Sequence, residues 1–212
     1  MTTSTPAQPI KLHNVPISGH CHRVQLFASL LGLPVELVPV DLARGAHKTP
    51  EYLALNAFGQ VPVIQDGEVT LADSNAILVY LARTYGGEAW LPLAPRHAAE
   101  VQRWLSVAAG QLAYGPAAAR IAMLFKRPYN EEELQGRARA LFSVMEQVLQ
   151  ARPFLTGDTP TLADVANYSY VRVAPEGNVS LVPYPAIQAW LARIEALPGF
   201  VPMPRSPVGL PA

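Results

Sequence analysis

The side chains best suited to chemistry stand in one short segment, Ser18-Gly19-His20-Cys21, between a predicted strand and a predicted helix. The N-terminus of a helix has N–H groups without intrahelical partners and a positive dipole end, so it stabilises anions. The S-x-x-C spacing is that of a C-x-x-C pair whose first sulfur is replaced by oxygen, which excludes dithiol chemistry within the chain. Ser18 can then donate a hydrogen bond to an external thiolate. The alternatives are an ordinary helix cap at Ser18 and a buried structural thiol at Cys21.

A metal site is the other chemistry that this segment could suggest, because His20 and His22 flank Cys21. Side chains two positions apart on a helix point in different directions, so they do not converge on one ion. We therefore expect no metal at this segment.

Two further segments carry groups suited to an extended peptide ligand. Val61-Pro62 enters a predicted strand, where proline usually avoids the central ladder. Most X-Pro bonds are trans, but a cis bond here would leave the N–H and C=O of Val61 to pair with a ligand as an added strand. Asp73-Ser74-Asn75 opens a predicted helix. A helix cap is the simplest interpretation, and the same N–H groups could bind a carboxylate while Asp73 pairs with an ammonium group.

A fourth segment, His47-Lys48, together with Gln60, offers positive and polar partners for a second carboxylate. A solvated loop is the alternative interpretation. Taken together, the four segments describe a pocket for an extended, thiol-bearing peptide with a charged group at each end. Glutathione has this shape.

The elements that must position these segments alternate between strand and helix over the first 85 residues. Helical spacing of apolar residues, a proline in a first turn and the Asp66-Gly67 turn signal define them. The resulting order is βαβαββα. The predicted strands are 10–14, 35–40, 61–65 and 68–71, and the predicted helices are 22–31, 50–55 and 73–84.

Beyond residue 85 the pattern changes to helices separated by proline or glycine. We predict a first domain over 1–85, a linker over 86–95 and an all-helical domain over 96–212. Thr161-Leu162-Ala163-Asp164 has the pattern of a capping box with Asp in place of Glu. The proline-rich tail from Pro198 cannot continue a helix and is expected to be extended or mobile. The predicted helices of this domain are 96–113, 117–124, 131–150, 162–173 and 186–197.

Composition narrows the class of partner. The chain has 212 residues with 16 basic and 16 acidic side chains, so its net charge is zero and nucleic acid is not an expected partner. A single cysteine excludes an internal disulfide, and MTTSTPAQPI lacks the features of a signal peptide, which together predict a reducing cytoplasm. The uncharged segment 104–119 is too short and too interrupted to span a membrane.

Three stretches resemble the glutathione-binding domain of cytosolic glutathione S-transferases: SGHCHRVQLFASLLGLPVE, KTPEYLALNAFGQVPVI and LADSNAILVYLARTYG. TLADV, which begins at Thr161, is similar to the capping-box helix of that family's second domain. The resemblance covers about residues 10–200 and, through Ser18, implies a serine-type, theta- or zeta-like bacterial member, although Gly19-His20 does not closely match any class of the family. One departure is Asn56-Ala57, where the family commonly has Asn-Pro.

The resemblance implies a fold class, α/β plus all-α, in which a thioredoxin-like domain joins a helical domain, and it implies a homodimer. It further implies that Pro62 is cis, that Val61 holds the cysteinyl residue of glutathione, and that Asp73 and Ser74 hold the γ-glutamyl end. Ser18 falls where the serine-type classes carry the hydroxyl that stabilises the thiolate. His47 and Lys48 fall where theta-like members bind the glycyl carboxylate.

The leading hypothesis is conjugation of glutathione to a small hydrophobic electrophile bound between the domains. The candidates for that pocket are Trp104, Tyr114 and Arg172, with Met123, Phe125 and Tyr168 as weaker ones; packing in a helical core is the alternative for each. Two other functions stay open at this point. They are reduction of mixed disulfides or peroxides by glutathione, and a binding module without catalysis.

Overall fold

Residues 5–210 are described by the computed structural model, and they divide into two units. The first unit ends at Leu91 and also takes in Leu197–Met203, while the second comprises Pro92–Ala196 and continues from Pro204. The boundary at Leu91 falls inside the predicted linker, 86–95. The inclusion of Leu197–Met203 in the first unit differs from the predicted division of the chain. The outermost ends of the predicted domains, 1–4 and 211–212, lie outside the described residues.

The first unit is built on a four-stranded sheet in the order β2-β1-β3-β4. Strand β1 pairs parallel with β2 and antiparallel with β3, and β3 pairs antiparallel with β4. The predicted order βαβαββα is confirmed, and with it the thioredoxin-like fold of this unit. Its elements are β1 (Ile10–Asn14), α1 (Gly19–Leu30), β2 (Val35–Pro39), α2 (Pro50–Leu55), β3 (Val63–Asp66), β4 (Val69–Ala72) and α3 (Ser74–Leu81).

The β3–β4 hairpin forms where the Asp66-Gly67 signal predicts it, and Gly67 has the positive φ of 56° that this tight turn requires. The strand begins at Val63 rather than at 61. Pro62 has no N–H to donate to the ladder, so regular pairing starts after it. The main-chain groups of Val61 therefore lie outside the register of the sheet.

Helix α1 begins at Gly19, three residues earlier than predicted. The hydroxyl oxygen of Ser18 caps it by accepting the N–H of Cys21 at 3.3 Å. A cap at Ser18 satisfies a first-turn N–H group that would otherwise lack a partner, which allows the helix to start there. The side chains of His20 and Cys21 are thus held in the first helical turn.

The tail from Pro198 does not continue a helix, as predicted, but its first residues are not extended, because Leu197 to Phe200 form a turn in which the N–H of Phe200 donates to the carbonyl of Leu197 at 3.0 Å. The Ser29 hydroxyl donates to the carbonyl of Gly199 at 2.6 Å, and His22 Nε2 donates to the carbonyl of Val201 at 3.0 Å. Met203 is buried. This part of the tail is therefore anchored to α1, and the alternative of a mobile end does not apply to it.

The second unit is helical, as predicted. The long helix expected over 96–113 ends at Ala109, and a π-helical turn at Ala113–Ala117 precedes α5. Helix α4 ends where Gly110 takes a non-helical backbone conformation (φ −104°, ψ −96°), and Pro116, which has no N–H to donate, lies in the π-helical turn. Among residues 5–210, no helix is both long and apolar enough to cross a membrane. The helices are α4 (Pro95–Ala109), α5 (Ala118–Phe125), α6 (Glu131–Ala151), α7 (Leu162–Arg172) and α8 (Pro185–Glu195).

Candidate active site

Ser18 stands half-buried at the N-terminus of α1, with the extended backbone (φ −83°, ψ 118°) typical of a cap. Its oxygen accepts one main-chain N–H, and a hydroxyl that accepts still has its own hydrogen to donate. The position combines that donor with the positive end of the helix dipole. A partly exposed hydroxyl here can stabilise an anion brought by a ligand.

Cys21, three residues on, has no exposed surface. Its sulfur lies 4.0 Å from the carbonyl oxygen of His13, to which it can donate only weakly. Burial raises the pKa of the thiol above its ordinary value, so the neutral form is favoured. Cys21 is therefore a buried structural thiol, and the sulfur for any thiolate chemistry must come from another molecule.

The Val61-Pro62 peptide bond is cis. The loop that leads to it is held from α2, because the Tyr52 hydroxyl and Asn56 Nδ2 both donate to the carbonyl of Gln60, at 3.0 and 2.9 Å. Tyr52 and Asn56 are buried. These two donors fix the backbone immediately before Val61, although neither was singled out as a site residue from the sequence.

His47, Lys48 and Gln60 are brought together by Gly59. Its φ of 58° favours glycine, and a Cβ atom there would stand 2.6 Å from the carbonyl oxygen of His47. Lys48 Nζ donates to the carbonyl of Phe58 at 3.3 Å. The loop of His47 and Lys48 thus packs directly against the Gly59-Gln60 backbone, and the side chains of Lys48 and Gln60 stay exposed.

Asp73 caps α3, as predicted. Its Oδ1 accepts the N–H groups of Asn75 and Ala76, both at 2.9 Å, and its φ of 71° is uncommon for a residue other than glycine. The N–H of Ser74 has no partner among residues 5–210. A ligand carboxylate at this end of α3 would therefore meet the Ser74 N–H and hydroxyl, while the exposed Asp73 carboxylate suits an ammonium group.

Two residues that the sequence did not predict as part of the site surround Ser74. Arg23 is completely buried and donates from Nη1 to Ser74 Oγ at 3.2 Å and to Asn75 Oδ1 at 2.9 Å. His20 Nδ1 lies 3.2 Å from the same Ser74 oxygen. The available signal was a charged residue, Arg23, at helical spacing four positions before the apolar Phe27.

The pKa of His20 is lowered to about 3, chiefly by burial and further by the positive charge of Arg23. The imidazole is therefore neutral near pH 7. His20 contacts Ser74 while His22 contacts Val201, so the two rings diverge. Within the described part of the chain, no three His, Cys, Asp or Glu side chains cluster so as to hold a metal ion.

The residues suggested for the electrophile do not form one cluster. Trp104 and Tyr114 both line a groove of about 610 Å³ in the second unit, walled by α4 and α6, with Val107, Leu141, Val144 and Val148. Arg172 is absent from that lining and pairs with Glu195, its Nε 2.8 Å from Oε1. Of the weaker candidates, Tyr168 is buried, Phe125 is exposed and the sulfur of Met123 contacts Asn178.

Two family models match the chain. The model described as "Glutathione S-transferase, N-terminal domain" matches residues 17–84, and the model described as "Glutathione S-transferase, C-terminal domain" matches residues 89–198. Together the two matches cover most of both structural units and include the candidate site residues from Ser18 to Arg172.

Curated and solved relatives agree with these matches. "Glutathione S-transferase 3" of Zea mays is 34% identical, over 94% of this chain and 97% of its own length. The theta-2 glutathione S-transferase of Homo sapiens is 31% identical, over 86% of this chain and 79% of its own. A crystal structure of glutathione S-transferase from Pseudomonas fluorescens superimposes with a TM-score of 0.88 at 35% identity, covering 92% of this chain and 99% of that one. The chain therefore belongs to the glutathione S-transferase family, and its activity is that of a glutathione transferase.

Proposed function

We propose that Ser18 stabilises the thiolate of bound glutathione for attack on a small hydrophobic electrophile. The observation that carries this proposal is the half-buried Ser18 hydroxyl at the positive end of α1, beside a cysteine that is itself inaccessible. A free thiol has a pKa near 8.5, so only a few percent is thiolate at pH 7. A hydroxyl donor and a helix dipole both favour the anion, so they increase the reactive fraction.

Attack then follows ordinary nucleophilic substitution or addition. The glutathione sulfur forms a bond to an electrophilic carbon, and either a leaving group departs with its electron pair or an activated double bond accepts a proton. Ser18 donates a hydrogen bond throughout and does not itself become bonded to the electrophile. Holding the two reactants side by side supplies the remaining acceleration.

The peptide itself is proposed to lie across three parts of the first unit. The main chain of Val61, outside the sheet register, pairs with the cysteinyl residue. Asp73 and Ser74 hold the ammonium and carboxylate of the γ-glutamyl group. His47, Lys48 and Gln60, packed around Gly59, hold the glycyl carboxylate. Opposite charges at the two ends of the site match a ligand with charged ends.

The test of this function is turnover of an aryl halide by Ser18→Ala, with Ser18→Thr as the control that keeps a hydroxyl. We expect kcat to fall about tenfold or more, the contribution typical of a hydrogen bond to a charged group, while the KM for glutathione changes little. Unchanged turnover would exclude the role of Ser18. One glutathione consumed per product is expected, and accumulation of oxidised glutathione instead would overturn conjugation in favour of reduction.

The finer placement within the family is also a proposal. A serine-type, theta- or zeta-like class is supported by the hydroxyl at Ser18 and by the similarity to the human theta-2 enzyme, and a bacterial origin by the similarity to the Pseudomonas enzyme. A reducing cytoplasm is the proposed compartment, since the single cysteine is a free, buried thiol.

A homodimer is proposed on the basis of two exposed apolar features. Phe58 is 80% exposed on the first unit, and the groove between α4 and α6 exposes Tyr114 and Val144. An aromatic side chain this exposed suits an interface more than open solvent. Phe58→Ser is expected to shift the protein toward monomer in sedimentation. Unchanged association would mean that Phe58 is not part of the interface.

The same groove is the proposed electrophile pocket, because Trp104 and Tyr114 both line it. Arg172 forms an ion pair with Glu195 and does not line the groove, so it is the weakest of the three candidates for contact with the electrophile. An electrophile and a second copy of the chain would compete for the groove, and Tyr114→Ala separates the two uses. A raised KM for the electrophile in an intact dimer supports the pocket. Dissociation with an unchanged KM assigns the groove to the interface.

A further inference from the structure

The hydroxyl of Ser74 is the most enclosed polar group at the end of α3. Ser74 is buried, and its oxygen lies 3.2 Å from Arg23 Nη1 and 3.2 Å from His20 Nδ1. Both neighbours come from the first two turns of α1, directly after Ser18. The side chain proposed to meet the γ-glutamyl group is thus oriented by the helix that carries the proposed catalytic hydroxyl.

The direction of the Ser74 hydrogen depends on which of these neighbours donates. A hydroxyl has one hydrogen and two lone pairs, and a guanidinium only donates, so Arg23 occupies one lone pair in every state. A neutral imidazole either donates from Nδ1 or accepts there. If Nδ1 accepts, the Ser74 hydrogen is directed to His20 and is lost to a ligand. If Nδ1 donates, both lone pairs are filled and the hydrogen must point to a third group.

We propose that His20 is a positioning residue, whose Nδ1–H donates to Ser74 Oγ alongside Arg23 and so directs the Ser74 hydrogen at the α-carboxylate of the γ-glutamyl group. This inference rests on the proposed placement of glutathione and adds a residue that selects for one end of it. The lowered pKa of His20 is consistent with it, since the ring is neutral at pH 7 and leaves Nε2 unprotonated in this tautomer.

The first experiment compares glutathione with an analogue in which the α-carboxylate is replaced by hydrogen. The measured quantity is the preference, the ratio of kcat/KM for glutathione to that for the analogue. His20→Asn places an amide N–H near the position of Nδ1, whereas His20→Gln places it near Nε2, and His20→Ala removes both. We expect the preference to fall about three- to tenfold in the Ala and Gln variants, part of the effect of a hydrogen bond to a charged group, and to be retained in the Asn variant.

A purely structural role gives a different pattern, because a distorted site weakens both ligands equally and leaves the preference unchanged. An unchanged preference in His20→Ala, or an equal loss in the Asn and Gln variants, overturns the proposal. His97→Ala, at an exposed histidine of α4, is the matched control and keeps the wild-type preference.

Ser74→Ala separates this inference from the proposed glutathione site. A reduced preference in Ser74→Ala together with an unchanged one in His20→Ala leaves the site standing and rejects only the role of His20. An unchanged preference in Ser74→Ala rejects both.

The tautomer itself is measurable in the unmodified protein. The ¹⁵N chemical shifts of a histidine distinguish a protonated ring nitrogen from an unprotonated one. With glutathione bound, Nδ1 of His20 is expected to be protonated and Nε2 unprotonated. The opposite assignment in the complex overturns the proposal, whatever the variants do.

Discussion

Helices α1 and α7 both begin at a hydroxyl side chain, and they differ in what encloses it. Ser18 accepts the N–H of Cys21 at 3.3 Å and stays half-buried. Thr161 accepts the N–H of Ala163 at 3.3 Å, but it is 6% exposed and forms a reciprocal box in which Asp164 accepts the Thr161 N–H at 2.9 Å. Both cap residues carry a hydroxyl, but three positions later the sequence has Cys21 in α1 and Asp164 in α7.

The two cap regions differ in whether a hydrogen-bonding group remains available to a ligand. The buried Asp164 carboxylate also accepts from the main chain of Leu155 and from the indole of Trp190, both at 2.9 Å. Buried polar groups are stable only when they are paired, so the α7 cap is closed to ligands and contributes to folding. The α1 cap keeps a hydroxyl at a partly open position, where it can serve a ligand. Asp164, and the burial of the groups around it, separate the closed cap of α7 from the partly open cap of α1.

The largest expected effect is on the closed cap. Asp164→Ala leaves the Leu155, Thr161 and Trp190 donors without their acceptor, so we expect the free energy of unfolding to fall by about 3 kcal/mol or more. Urea denaturation measures the loss. Asp158→Ala, exposed in the same loop, is the control and should stay within about 0.5 kcal/mol of wild type. A loss as small as the control's would mean that the α7 cap is no more structural than that of α1.

The open cap is expected to act on the ligand instead. Ser18→Ala should raise the pKa of the thiol of bound glutathione by about one to two pH units, which corresponds to the loss of a hydrogen bond to a charged group. The ultraviolet absorbance of the thiolate, followed as a function of pH in the complex, measures this value. Ser18→Thr keeps the hydroxyl and should keep the low pKa. An unchanged pKa in Ser18→Ala would assign thiolate stabilisation to another group.

Helix α1 also carries a buried histidine, His22, whose contribution to the free energy of unfolding should depend on pH. The pKa of His22 is lowered to about 4, chiefly by burial, against 6.5 in an unfolded chain. Between pH 6.5 and 4 the unfolded chain binds a proton at His22 and the folded chain does not. The contribution of His22 to the free energy of unfolding is therefore complete above pH 6.5 and is lost as the pH falls toward 4. The loss is about 2 kcal/mol at pH 5. Urea denaturation at pH 7 and 5 tests this.

The control for the pH effect is His22→Gln, which removes the titration of this residue and should reduce the pH dependence by about half, because His20, whose pKa is lowered to about 3, loses a similar amount over the same range. His97→Gln, at an exposed histidine, should leave the wild-type dependence in place. An equally steep dependence in His22→Gln would show that other groups are responsible.

The smallest expected effect is the loss of unfolding free energy when either cap hydroxyl is removed. Thr161→Ala and Ser18→Ala should each lower the free energy of unfolding by about 1 kcal/mol, the ordinary value of an N-cap. Only Ser18→Ala should also lower kcat. Comparing urea denaturation with turnover in the two variants tests the distinction, and a fall in kcat in both would remove it.

Much of the fold was predictable because its signals are local. Asp66-Gly67 specifies a hairpin turn, the Thr161–Asp164 pattern specifies a capping box, and a proline in the first turn marks the start of α2. The start of α1 was predicted three residues late, although its cap, Ser18, is local. The anchoring of the tail was missed because a distant partner decides it: the Ser29 hydroxyl donates to the carbonyl of Gly199, 170 positions further along the chain.

For the candidate site too, part was predictable from the sequence and part depended on the tertiary structure. By itself, the sequence determined which residue types were available: a hydroxyl three positions before the single cysteine, a proline entering a strand and an acidic cap on a helix. Only the tertiary structure decided that Cys21 is inaccessible and that His20 and Arg23 converge on Ser74, some fifty positions away in the chain. Burial and convergence depend on how separate elements pack, and no local pattern contains that information.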